Sequence, residues 1–105
     1  MRAIVTNHAK ERTKERLGLR KKVADKVANK ALENGIKHSM AKGNLRKYFE
    51  KLYLTERKAN NIRIYNRKVY LFKGTVLITV INLPNNLIKA ADSIQKNMNT
   101  TREGR

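Results

Sequence analysis

The chain contains no cysteine, one proline (Pro84), two widely separated histidines and only eight acidic residues among 105. Absence of cysteine excludes disulfides and thiolate metal sites, and two distant histidines make a poor zinc centre. The acids are scattered, and the helical pair Glu11 and Glu15 is flanked by Arg12 and Arg16, so salt bridging accounts for it better than a two-metal site. No metal and no cofactor is expected. The glycines Gly18, Gly35, Gly43, Gly74 and Gly104 are isolated, which leaves no glycine-rich phosphate loop. Ser39 and Ser93, the two serines, lack the partners of a hydrolase nucleophile. No apolar run reaches the length of a membrane span, and the N-terminal segment lacks the pattern of a secretory signal. A cytoplasmic protein with no membrane partner is expected.

Positive charge, by contrast, is abundant. Lys and Arg number 25, for a formal net charge of +17 at pH 7. That exceeds what solubility requires and attracts polyanions, nucleic acid first and an anionic membrane surface second. Richness in Lys, Asn and Ile fits an A+T-rich genome, such as that of a low-GC bacterium or its phages. The length suits one compact α+β domain over 1–96, followed by a flexible polar tail over 97–105.

Residues 62–83 supply the frame. Ile62 to Tyr65 alternates as a half-buried strand does, Asn66-Arg67 breaks the run, and Lys68 to Phe72 places Val69 and Leu71 opposite Lys68, Tyr70 and Phe72. Lys73-Gly74 is a turn. Thr75 to Leu83 is β-branched and stops at Pro84, with Val76, Ile78 and Val80 on one face and Leu77, Thr79 and Ile81 on the other. This strand should be central, covered on both faces, with Val76, Ile78 and Val80 packed against Phe49 or Leu52. Thr79 is either a strand former or a hydroxyl on the floor of a site.

Helical patterns surround the frame. Thr6-Asn7 can cap a polar first helix from His8 to Leu17 that closes at Gly18. Arg20-Lys21-Lys22 leads into an amphipathic helix carrying Val23, Val27 and Ala31, with Asn34-Gly35 expected to end it through a left-handed glycine. Ile36 to Gly43 reads as a loop. Asn44 is expected to cap a helix whose Leu45, Tyr48, Phe49 and Leu52 share a face, and Asn85-Asn86 to cap a short one carrying Leu87, Ala90, Ala91 and Ile94. The expected fold is α+β, with N-terminal helices on a three- to four-stranded antiparallel meander and a short C-terminal helix.

The run His8-Ala9-Lys10-Glu11-Arg12 on a basic helix, followed by helices and a meander ending in the V-x-x-x-V-x-x-L-P pattern of Val76, Val80, Leu83 and Pro84, resembles small phage and bacterial proteins of the RelE, ParE and BrnT group of toxin-like folds. That group belongs to a wider set with barnase, EndoU and the tRNA-cutting colicins. The likeness is one of topology over most of the chain and of motif over His8 to Arg16. It implies a metal-independent endoribonuclease. RNA carries its own nucleophile, so cleavage needs an acid or base and cations around the phosphate. His8 is the candidate acid or base, Arg12 at i+4 reaches the same phosphate, Glu11 orients His8, and Thr79 completes the catalytic set. His8 and Arg12 can equally be a capping residue and a surface cation.

Arg16, Arg20, Lys21, Lys22, Arg63, Tyr65, Lys68 and Tyr70 are the candidate nucleic-acid contacts, the strand residues on exposed faces where they grip phosphates and stack bases. The partner expected is RNA, free or on the ribosome, with an acidic antitoxin implied by the resemblance. The alternative is a protein without catalysis, binding nucleic acid or acting as a phage-encoded inhibitor of a host nucleoprotein complex.

Overall fold

The structure, a computed structural model, describes residues 3–5 and 21–103, with side chains described over 3–5 and 25–98. Within these residues three α-helices accompany a four-stranded mixed sheet. The elements are β1 (Ile4–Val5), α1 (Lys21–Asn34), a 3-10 turn (His38–Met40), α2 (Gly43–Thr55), β2 (Asn61–Tyr65), β3 (Lys68–Lys73), β4 (Val76–Asn82), a second 3-10 turn (Asn85–Leu87) and α3 (Ile88–Glu103). No helix among the described residues is long and apolar enough to cross a membrane.

β2, β3 and β4 form the expected antiparallel meander, but the sheet is not wholly antiparallel. Its order is β1-β4-β3-β2, and β1 lies parallel to β4, Ile4 opposite Val76 and Val5 opposite Leu77. A strand thus precedes the helices and occupies a sheet edge. Two residues are too few to show a period, and the partner lies some seventy positions away, so nothing local announces this pairing. The Ala3 N–H donates to Asn29 Oδ1 at 2.5 Å and ties this edge to α1.

The meander turns follow from backbone chemistry. Asn66 and Arg67 have φ of +50° and +65°, the two successive positive values of a tight hairpin turn that matches strand twist. Asn suits that region and Arg does not, yet Arg67 clamps α3 through Asp92, Nη2 to Oδ2 at 2.9 Å. Between β3 and β4, Leu71 pairs with Thr79 and Phe72 with Leu77, so Ile78 is an extra residue in β4. This bulge breaks the strict alternation read along β4. Ile78 joins the cluster containing Phe49 and Leu52, whereas Val80 faces the opposite side with Leu77. The expected burial of Val80 against Phe49 or Leu52 is therefore corrected.

Two apolar layers result. α1 covers one face, its Ala28, Ala31 and Leu32 packed with Tyr70, Phe72, Leu77 and Val80. Small alanines let the helix approach the aromatic rings. α2 and α3 cover the other face, where Leu45, Phe49, Leu52, Leu87 and Ala91 meet Ile62, Ile64, Val69 and Leu71. The aromatic stripe of α2 is core, as its spacing indicates.

The chain passes from one layer to the other around the outer edge of β2. Gly35 ends α1 without a left-handed turn. Its requirement is space, because a Cβ there would collide with the Ala31 carbonyl oxygen and lie 2.9 Å from Arg63 Cβ. Ile36 then bridges Ile64, each N–H donating to the other's carbonyl (2.7 and 3.1 Å), which covers the sheet edge. The stretch expected to be a loop is thus a paired connector with a 3-10 turn. α3 is also longer than expected. It runs 16 residues through the segment read as a tail, with Met98 packed on the core and Gln95 Nε2 donating to the Asn34 carbonyl at 3.0 Å. Ala90, expected on its buried stripe, is exposed.

Tyr70 is 2 % exposed. Burial pushes its hydroxyl well above the ordinary tyrosine range, and neighbouring Tyr65 adds to the rise. The fold holds the neutral phenol, so this stabilisation is complete below about pH 10, where unfolded tyrosine ionises, and is lost as pH climbs further. Stability should fall by about 1.4 kcal/mol per pH unit above that point, with a shallower fall in Tyr70→Phe. Urea denaturation across the alkaline range checks this, and equal slopes for the two proteins would clear Tyr70 of the effect.

Candidate nucleic-acid interface

Cations follow the chain around the β2 edge. Lys26 and Lys30 are one turn apart on α1, Lys37 lies in the connector, and Lys42 and Arg46 are one turn apart at the start of α2; all five are exposed. Arg46 Nε has Glu50 Oε2 at 3.9 Å, while no carboxylate among the described residues pairs with the four lysines. α1 and α2 cover opposite sheet faces and Lys37 follows the Ile36–Ile64 bridge between them, so exposed cations lie on both helices and on the connector that joins them. Exposed cations of this kind can neutralise phosphates.

Inside this path lies a cleft of about 640 Å³ between the end of α1, the connector and α3. Met40, Ile94 and Met98 give it apolar surface, Lys37 and Lys42 give it positive charge, and Glu33 and Asn97 supply polar groups. Next to it, His38 in the 3-10 turn is held by the second half of α2. Its ring lies 6.0 Å from that of Phe49 and 6.1 Å from that of Tyr53, tilted to each. Its Nε2 is shielded from solvent, with Glu50 Oε2 at 3.5 Å but no aligned hydrogen bond. That nitrogen is turned into the protein and is not offered to a substrate. Among the described residues no three His, Asp or Glu side chains gather as metal ligands.

The residues singled out from the sequence do not form one site. His8, Glu11, Arg12, Arg16 and Arg20 lie outside the described residues, and Lys21 and Lys22 open α1 with side chains outside them. Thr79 is half-buried opposite Leu71, whose side chain belongs to the α2 and α3 layer. Tyr70 lies in the other layer. It is corrected from a base-stacking contact to a core residue, because α1 covers the strand face that was read as exposed. Tyr65 packs against that same layer.

Arg63 is likewise committed to structure. Its Nη1 donates to the Leu32 carbonyl near the end of α1 at 2.9 Å and its Nε to Asn61 Oδ1 at 2.8 Å. A cation there satisfies an orphan helix carbonyl and complements the helix dipole. Partial burial lowers the guanidinium from its ordinary value, opposed by neighbouring Tyr53. Lys68 donates from Nζ to Asn82 Oδ1 across the sheet at 2.7 Å. The Tyr53 hydroxyl accepts the Ile62 N–H at 2.9 Å, and burial raises the Tyr48 hydroxyl.

Comparison with protein-family models, curated proteins and solved structures returned no match. The likeness to the RelE, ParE and BrnT group therefore rests on the residues quoted for it. The cleft and His38 were not singled out from the sequence, since the cleft joins the end of α1, the connector and α3, which are distant along the chain, and His38 lies in a stretch without apolar periodicity. The one local hint was Lys37 and Lys42 bracketing Met40.

Proposed function

We propose that this protein binds RNA, gripping successive phosphates along Lys26, Lys30, Lys37, Lys42 and Arg46. The observation that carries the reading is the set of exposed cations on α1, the connector and the start of α2, on a chain of net charge +17. Phosphate contacts dominate the affinity of such proteins and release condensed counterions, so binding weakens steeply with salt. For five phosphates on a single strand, affinity should drop roughly 100-fold between about 50 and 200 mM salt. Changing Lys26 and Lys30 to Gln should flatten the slope of log K against log salt by about 1.4. Fluorescence anisotropy with labelled RNA measures both. Salt-insensitive binding, or no binding at low salt, would turn the assignment towards a protein or lipid partner.

The finer part of the proposal is cleavage without a metal, as the resemblance implies, with His8 as acid or base and Arg12 on the phosphate. Incubating the natural protein with free and ribosome-bound RNA in a chelator separates cutting from binding alone. Intact RNA in both would favour the binding protein or host-machine inhibitor.

A further inference from the structure

We infer that the cleft beside the connector holds one unpaired nucleobase of the bound strand, and prefers bases with an exocyclic amino group. This deepens the RNA reading and rests on it. At about 640 Å³ the cleft is open to solvent and roomy enough for a flat base. Its apolar surface comes from Met40, Ile94 and Met98. A base offers an aromatic face, and thioether sulfur makes favourable contacts with aromatic rings. Lys37 and Lys42 flank Met40 in the chain, line the same cleft, and belong to the cationic path, so they suit the phosphates on either side of an inserted base.

Glu33 decides between occupants. It is the single carboxylate lining the cleft among the described residues, and an ionised carboxylate only accepts hydrogen bonds. The amino groups of cytosine, adenine and guanine are donors it can use, as carboxylates do with cytosine N4. Uracil has no amino group, and its one ring donor is flanked by two carbonyls. A base stacked and paired in a duplex cannot enter, so the cleft should discriminate strandedness as well as base.

Binding of labelled short oligonucleotides of C, A and U, and of an equal-length duplex, tests the assignment at one low salt concentration. Single-stranded C should bind at least about fivefold more tightly than U, and more tightly than the duplex. Glu33→Ala, which removes the acceptor at an exposed position, should bring the ratio of C to U affinity close to one. In the natural protein, the methyl resonances of Met40 and Met98 should shift on adding C strands and stay in place on adding duplex. Equal affinity for all strands, a preference that survives Glu33→Ala, or unmoved methionine methyls would overturn this inference and leave the RNA reading standing. Absence of RNA binding altogether would remove the RNA reading, and this one with it. Methionine shifts produced by an acidic peptide but not by RNA would assign the cleft to a protein and overturn the proposal.

Discussion

His8→Ala should lower the rate of RNA cleavage by about 10²–10⁴, the usual worth of a positioned acid or base, while RNA affinity stays close to that of the natural protein. One neutral imidazole adds little to a field made by a net charge of +17. The products should end in 2′,3′-cyclic phosphate, because the attacking oxygen belongs to the RNA. His38→Ala is the control. Its Nε2 is shielded beside Glu50, so cleavage should persist in that variant once folding is verified. Arg12→Ala differs from both, since a cation contacts the ground-state phosphate and also stabilises transition-state charge, and it should weaken binding and turnover together. Undiminished cleavage by His8→Ala would remove His8 from the mechanism. Loss of cleavage only in the His38 variant would move the chemistry to the connector and the face of α2 that holds it.

Phe49→Ala should destabilise the fold by about 3–5 kcal/mol. Phe49 is fully buried between α2 and the sheet, in the cluster holding Leu45, Leu52, Ile62, Ile64 and Leu71, with the His38 ring against it. Truncation removes the transfer free energy of a phenyl ring and leaves a cavity that the surrounding strand residues cannot collapse into. Leu54, five positions on and 75 % exposed, supplies the contrast, and Leu54→Ala should stay within about 0.5 kcal/mol. Urea denaturation of both variants measures the difference. A loss below about 1 kcal/mol for Phe49→Ala would mean that the layer between α2 and the sheet contributes little.

The sequence showed the fold where apolar residues recur with a period over many positions. The α2 stripe, the meander of β2, β3 and β4, and the end of α1 at Asn34 were all legible. Failures occurred where the period was short, interrupted or supplied from a distance. Ile78 is inserted into β4 and shifts the inward phase, which no count of alternating residues anticipates. Tyr70 and Arg63 read as surface groups because Tyr and Arg suit either environment, and the covering element was another helix. Even so, the unbroken run Val69-Tyr70-Leu71-Phe72 carried the signal of a strand buried on both faces.

Composition and period thus determined a strongly basic α+β chain, with an aromatic stripe on α2 and a three-stranded meander, since each of these is a property of neighbours in sequence. Tertiary structure decided the parallel docking of β1, the continuation of α3 to Glu103, and the cleft that joins Glu33, Met40 and Met98. The physical reason is separation along the chain. Segment 37–42 shows no apolar period, and in 95–98 Met98 extends the spacing of Leu87, Ala91 and Ile94 by a single residue among polar ones, so their conformation and neighbours are set by what the rest of the fold brings against them.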